Sequence, residues 1–111
     1  MAQPLNELEH RWGERIRVNI PVQVAAQASG GIDGFLKNVS LSGALMAIDV
    51  DLRLHSLIEI SIRLPPPWLC DAVVKAHVTR KVHDAVGVEW CEFAPRTVKH
   101  LLRSPSVRST L

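Results

Sequence analysis

From Arg17 the chain alternates. Val18, Ile20, Val22 and Val24 fall on one parity, and Arg17, Asn19, Gln23 and Ala25 on the other. This is the period of two required by a strand with one buried face. Pro21 takes the outward parity and offers no N–H to a ladder, which places this strand at a sheet edge or at a bulge. Ser29-Gly30-Gly31 reads as a turn. A second strand is predicted from about Ile32 to Val39, followed by the polar turn Asn38–Gly43. Ala44 to Val50 is apolar on both parities until Asp49, which fits a strand buried on both faces or, by periodicity alone, a helix; the short length favours a strand. Between Leu57 and Leu64, Ile58, Ile60, Ile62 and Leu64 alternate with Glu59, Ser61 and Arg63, until Pro65, Pro66 and Pro67 end the strand. A fifth strand is predicted from Asp71 to Val82, with Val74, Ala76 and Val78 inward and Lys75, His77 and Thr79 outward. Arg80 falls on its apolar parity, which requires a bulge, a strand end or a ligand. His83-Asp84 reads as a hairpin leading to a sixth strand, in which Val86, Val88 and Trp90 alternate with Gly87, Glu89 and Cys91.

Pro95 suits the first turn of a helix, where its missing N–H is not needed. Val98, Leu101 and Leu102 form an apolar stripe at helical spacing, with Lys99, His100 and Arg103 near the end that favours cations. Six strands joined mainly by turns, then one helix, predict an all-β fold: a six-stranded antiparallel β-barrel with a C-terminal α-helix. Closure also removes the edges that so many strands would otherwise expose. Residues 1–16 are expected to form a flexible arm, with a thin helical turn around Leu5 to His10. Residues 17–103 would form the barrel and helix, and 104–111, rich in Ser, Pro and Arg, a disordered tail.

Length and composition narrow the function. A chain of 111 residues fits one domain. With 47% hydrophobic and 22% charged residues, it is not disordered throughout. A net charge of +2 is too mild to argue for nucleic acid by bulk attraction, so anion binding must come from local clusters. No apolar run approaches the roughly 20 residues needed to cross a bilayer, so no membrane insertion is expected. Met1 to Glu9 lacks the basic-then-apolar pattern of a secretory signal. Cys70 and Cys91 show no metal-ligand spacing and read as reduced thiols in or near a core, in keeping with a cytoplasmic protein.

Catalysis finds no support. No nucleophile, histidine and acid stand at a recognisable spacing, and Gly-x-Ser-x-Gly is missing from the sequence. His10, His55, His77, His83 and His100 form no strong zinc pattern. Asp49 and Asp51 merely flank a strand end. The expectation is therefore no enzyme, no metal and no cofactor.

Two segments remain. Arg11 and Arg15 stand four apart, with Arg17 close by. Such a stretch is ordinarily a solvated basic face, yet arginine also makes planar two-point contacts with phosphate oxygens and with the O6/N7 edge of guanine. Fully extended, the pair would lie roughly 13 Å apart; on a coiled turn they would lie side by side. The second segment is Asn38-x-Ser40-x-x-Gly43. Its residue types dominate ordinary turns. They could also bind: glycine admits a ligand close to the backbone, while Asn38 and Ser40 offer hydrogen bonds of both polarities. Trp90 reads as core, Trp12 as a cover for a ligand or the barrel rim, and Trp68 as loop.

Arg11-x-x-x-Arg15, the strand Val18-Asn19-Ile20-Pro21-Val22 and Asn38-x-Ser40-x-x-Gly43, in that order, resemble the PilZ domain family. Gly87-Val88-Glu89-Trp90 before a helix is similar to the family's last strand. The resemblance runs from about residue 10 to 103. It implies a six-stranded split barrel that binds cyclic di-GMP, a bacterial second messenger. On that resemblance, Arg11 and Arg15 would grip phosphate and guanine, and Asn38, Ser40 and Gly43 would floor the site. His10, Arg17 and Arg80 would be second-tier contacts. His10 stands where many members carry a further arginine, and Asn38 where many carry aspartate. The implied function is a single-domain receptor, monomeric or weakly dimeric, that orders its arm on binding and signals to a downstream protein partner. The competing readings are a module of the same fold that binds protein and no nucleotide, and an oligonucleotide-binding barrel, which the low aromatic content of 5% disfavours. A flavin enzyme on a related barrel is more distant, since the chain is too small to close such a site alone.

Overall fold

A computed structural model describes residues 15–26, 29–63 and 71–103. They form β1 (Ile16–Ala26), β2 (Ser29–Val39), β3 (Gly43–Ile48), β4 (Leu57–Arg63), β5 (Asp71–Val82), β6 (Ala85–Trp90) and helix α1 (Arg96–Arg103). The six strands close into a barrel in the order β1-β2-β3-β6-β5-β4, every neighbouring pair antiparallel. The alternating side chains dictate this solution. One parity of each strand is apolar, and closure brings all of those parities to one interior, where Val24, Leu36, Met46, Ile60, Ile62 and Val78 are wholly excluded from solvent. Helix α1 adds Val98 and Leu101 to the same core, with Leu102 packed at its margin.

Several expectations need correction. β1 is no edge strand: it pairs with β2 on one side and β4 on the other. Its register shifts lie between Arg17 and Ile20 and between Val24 and Ala26, not at Pro21. Pro21 is paired with Phe35 of β2, but the β4 ladder begins only at Val22, opposite Ile62, so the proline stands just outside that ladder, a position such a residue tolerates. Ser29 to Gly31 belong to β2 rather than to a turn, and Ser29 pairs with Ala26. β3 is buried on one face only: Ala44, Met46 and Ile48 point inward, while Leu45 and Ala47 are half-buried, and the strand ends before Asp49. Cys91 is exposed, not in a core, because it lies on the outward parity just beyond β6.

Arg80 is explained by a bulge. The β5–β6 register shifts between Val78 and Arg80, which turns Arg80 outward. The β5–β6 hairpin closes with Asp84 at φ 63°, a left-handed conformation that aspartate tolerates. Leu64, Trp68, Cys70, Pro65 to Pro67, the predicted N-terminal helical turn and the C-terminal tail lie outside the described residues.

Candidate functional site

Five strands place Arg17, Asn38, Leu45, Gly87 and Arg80 in one row across the barrel. Arg17 pairs with Asn38, Asn38 with Leu45, Leu45 with Gly87, and Gly87 with Arg80. The neighbours Val39, Ala44, Val86 and Val88 are buried, so period-two alternation turns the row to the outer face. Shifts in register fall beside this row in three pairings, next to Arg17, Asn38 and Arg80. Bulges of this kind re-aim side chains. Here they bring two arginines and an asparagine onto one lane, whose four interstrand spacings span roughly 19 Å.

Arg15 stands immediately before β1, and its Nη1 donates to Asn38 Oδ1 at 2.7 Å. This joins the end of the basic arm to the start of the polar turn, the two segments that the sequence singled out. At the other end of the lane, the side chain of Arg80 lies over Gly87. A β-carbon on Gly87 would stand 2.8 Å from both Cγ and Nε of Arg80. The bare glycine therefore lets the arginine stem lie flat on the sheet. Arg17 is exposed and has further contacts.

Ser40 and Gly43 serve differently. Ser40 is the only polar residue among the described core, 1% exposed. Its Oγ accepts from the amides of Ser42 and Gly43 and donates to the Gly43 carbonyl, with contacts of 3.2–3.3 Å. Its own amide donates to the same carbonyl at 2.8 Å. The hydroxyl thus ties the turn to itself. Gly43 lies against β6: an added β-carbon would overlap the Val88 carbonyl oxygen and stand 3.1 Å from its carbon. Its bareness is required by close strand approach.

The turn is also clamped from β6. Trp90 Nε1 donates to the Ser40 carbonyl at 3.0 Å, the Trp90 amide donates to the Ser42 carbonyl, and the Ala94 amide donates to the Leu41 carbonyl. This role of Trp90 was not legible in the sequence, where inward parity was the only signal it gave. Arg11, His10 and Trp12 lie outside the described residues. Among the described residues no group of histidine, cysteine and carboxylate could hold a metal, and no helix is long and apolar enough to cross a membrane.

The model of the PilZ domain family matches residues 9–104. The chain belongs to the PilZ family. Two solved structures share its fold. One is a PilZ domain of CeSA from a cellulose-synthesizing bacterium, at 20% identity and a TM-score of 0.63, covering 81% of this chain and 92% of that one. The other is the inhibitor of motility MotI/DgrA of Bacillus subtilis, also at 20% identity, with a TM-score of 0.64, covering 80% of this chain and 48% of that one. Among curated proteins none matches this PilZ domain in sequence. PilZ domains are receptor and adaptor domains built on a cyclic di-GMP-binding fold rather than catalysts.

Proposed function

We propose that this PilZ domain is a cyclic di-GMP receptor of the bacterial cytoplasm that binds on the Arg17–Arg80 lane and signals to a protein partner. The observation that carries the reading is the Arg15–Asn38 contact. It sets a guanidinium beside an amide at the mouth of the lane, and these two groups together recognise a phosphate and the edge of a guanine. Arg11 and His10, from the arm, would close over the nucleotide. Ordering the arm is then the switch, since the ligand favours one state of that segment. Arg17 and Arg80 contribute charge at the two ends of the lane. Ser40 and Gly43 act through the turn they hold, which sets where Asn38 stands. The receptor works as a monomer or weak dimer and without catalysis.

The first test is titration calorimetry with cyclic di-GMP, with GTP as control. Saturable, selective binding is expected. Arg15→Ala should weaken it on the order of 10–100-fold, the worth of one charge-assisted hydrogen bond. Retention of full affinity by that variant would remove the basis of the reading.

One observation favours a second reading, a protein-binding module without nucleotide. Ser40 and Gly43 are both engaged in holding the turn, so two of the three residues of the Asn-x-Ser-x-x-Gly pattern would persist without any ligand. No heat with cyclic di-GMP at high concentration would select it.

A further inference from the structure

On the outer face of β5 and β6, away from the Arg15–Asn38 contact, three reactive groups meet. His77 pairs with Glu89 across the two strands, and its Nε2 faces Glu89 Oε1 at 3.7 Å. Cys91 follows on the same face, its amide fixed to the Lys75 carbonyl at 3.0 Å. Its Sγ lies 3.8 Å from His77 Nδ1. The thiol is exposed. It opens on a surface cleft of about 490 Å³ that also carries Lys75, Arg96, Glu92, Val73 and Pro95. A nucleophile with a base behind it, in a cleft whose two cations outnumber its one carboxylate, Glu92, and which has an apolar wall, is more than an exposed cysteine.

We propose that Cys91 is a modification site for small anionic disulfides such as glutathione disulfide. The Glu89 carboxylate favours the imidazole tautomer with hydrogen on Nε2, which leaves the Nδ1 lone pair facing the sulfur. As the sulfur attacks, His77 Nδ1 takes the thiol proton. One S–S bond forms between Cys91 and the reagent, and the reagent's own S–S bond breaks. The leaving thiolate collects the proton from the imidazolium. The products are a mixed disulfide on Cys91 and one free thiol, and no other oxidant is consumed. Lys75 and Arg96 draw the reagent's carboxylates into the cleft. The proposal is independent of the nucleotide reading.

The test follows the rate of Cys91 modification by mass spectrometry with peptide mapping, which separates Cys91 from Cys70. The probes are glutathione disulfide, neutral hydroxyethyl disulfide and cationic cystamine, each used on the folded and the urea-unfolded chain. In the folded chain Cys91 should favour the anionic over the cationic probe by at least about fivefold more than when unfolded. H77Q should slow the reaction by on the order of tenfold, and E89Q, which keeps the imidazole, by less. K75E/R96E should abolish or reverse the charge preference while circular dichroism stays unchanged. Equal preference in folded and unfolded chains, or a wild-type rate in both H77Q and E89Q, would overturn the proposal.

Discussion

Gly43→Ala tests how the polar turn is built. The substitution adds one methyl group where the Val88 carbonyl oxygen already stands, with Val88 C at 3.1 Å and Glu89 Cα at 3.2 Å. All three obstructing atoms are backbone, so no rotamer change can relieve the overlap. β3 and β6 would have to part locally by roughly 1 Å to restore ordinary contact distances. Gly43 pairs directly with Glu89 in that ladder, and the next residue, Ala44, is buried against the core. Parting the strands therefore strains both ladder bonds and core packing. An overpacked site without a flexible neighbour costs about 3 kcal/mol. For a domain of this size, that lowers the melting temperature by about 12 °C and the urea midpoint by about 1–2 M. Circular dichroism at increasing urea, with tryptophan fluorescence as a second probe, measures both values. A Gly43→Ala midpoint within 0.2 M of wild type, taking about that figure as the resolution of the method, would refute the reasoning and return Gly43 to a direct role at a ligand.

Other outcomes follow from the same geometry. Ser40→Ala removes the acceptor for the Ser42 and Gly43 amides and should cost about 1–3 kcal/mol in urea unfolding, most of it from stranded donors. Trp90→Phe keeps an aromatic in the core but deletes the donor to the Ser40 carbonyl; an expected loss of about 1–2 kcal/mol is read from the same transition. Gly87→Ala should leave stability within about 1 kcal/mol, since the obstructing atoms belong to an exposed arginine side chain, yet weaken cyclic di-GMP binding severalfold by lifting Arg80 off the lane. Calorimetry beside a thermal melt separates the two effects. Asn38→Ala should reduce nucleotide affinity while shifting the melt by no more than about 4 °C, because the hydrogen bond it loses to Arg15 is exposed.

Much of the barrel was written in the one-dimensional pattern. Strict alternation along Val18–Val24, Ile58–Ile62 and Val74–Val78 fixes which side of each strand is buried, because successive side chains point to opposite faces. Pro95 and the stripe Val98-Leu101 likewise announce α1. The ends of strands were less legible. Ser29 to Gly31 carries turn residues but is held in β2 by pairing with β1, a tertiary choice that local propensity does not reveal. Cys91 was expected in or near a core from its residue type, but its outward parity, shared with Glu89, decided its exposure.

For the site, the residues Arg15 and Asn38 were visible as types at a spacing, but not as a contact. Only the pairing of β1 with β2 brings positions so far apart in sequence to 2.7 Å. Closure decided the rest. The lane from Arg17 to Arg80 crosses five strands and exists only because register and bulges align residues from distant segments. The same closure gave Ser40 and Gly43 their internal duties, since the turn they form is clamped by a tryptophan 50 residues away. Sequence determines parity and local turn chemistry because both depend on neighbours along the chain. Which side chains meet across strands depends on register, and register is settled by the barrel as a whole.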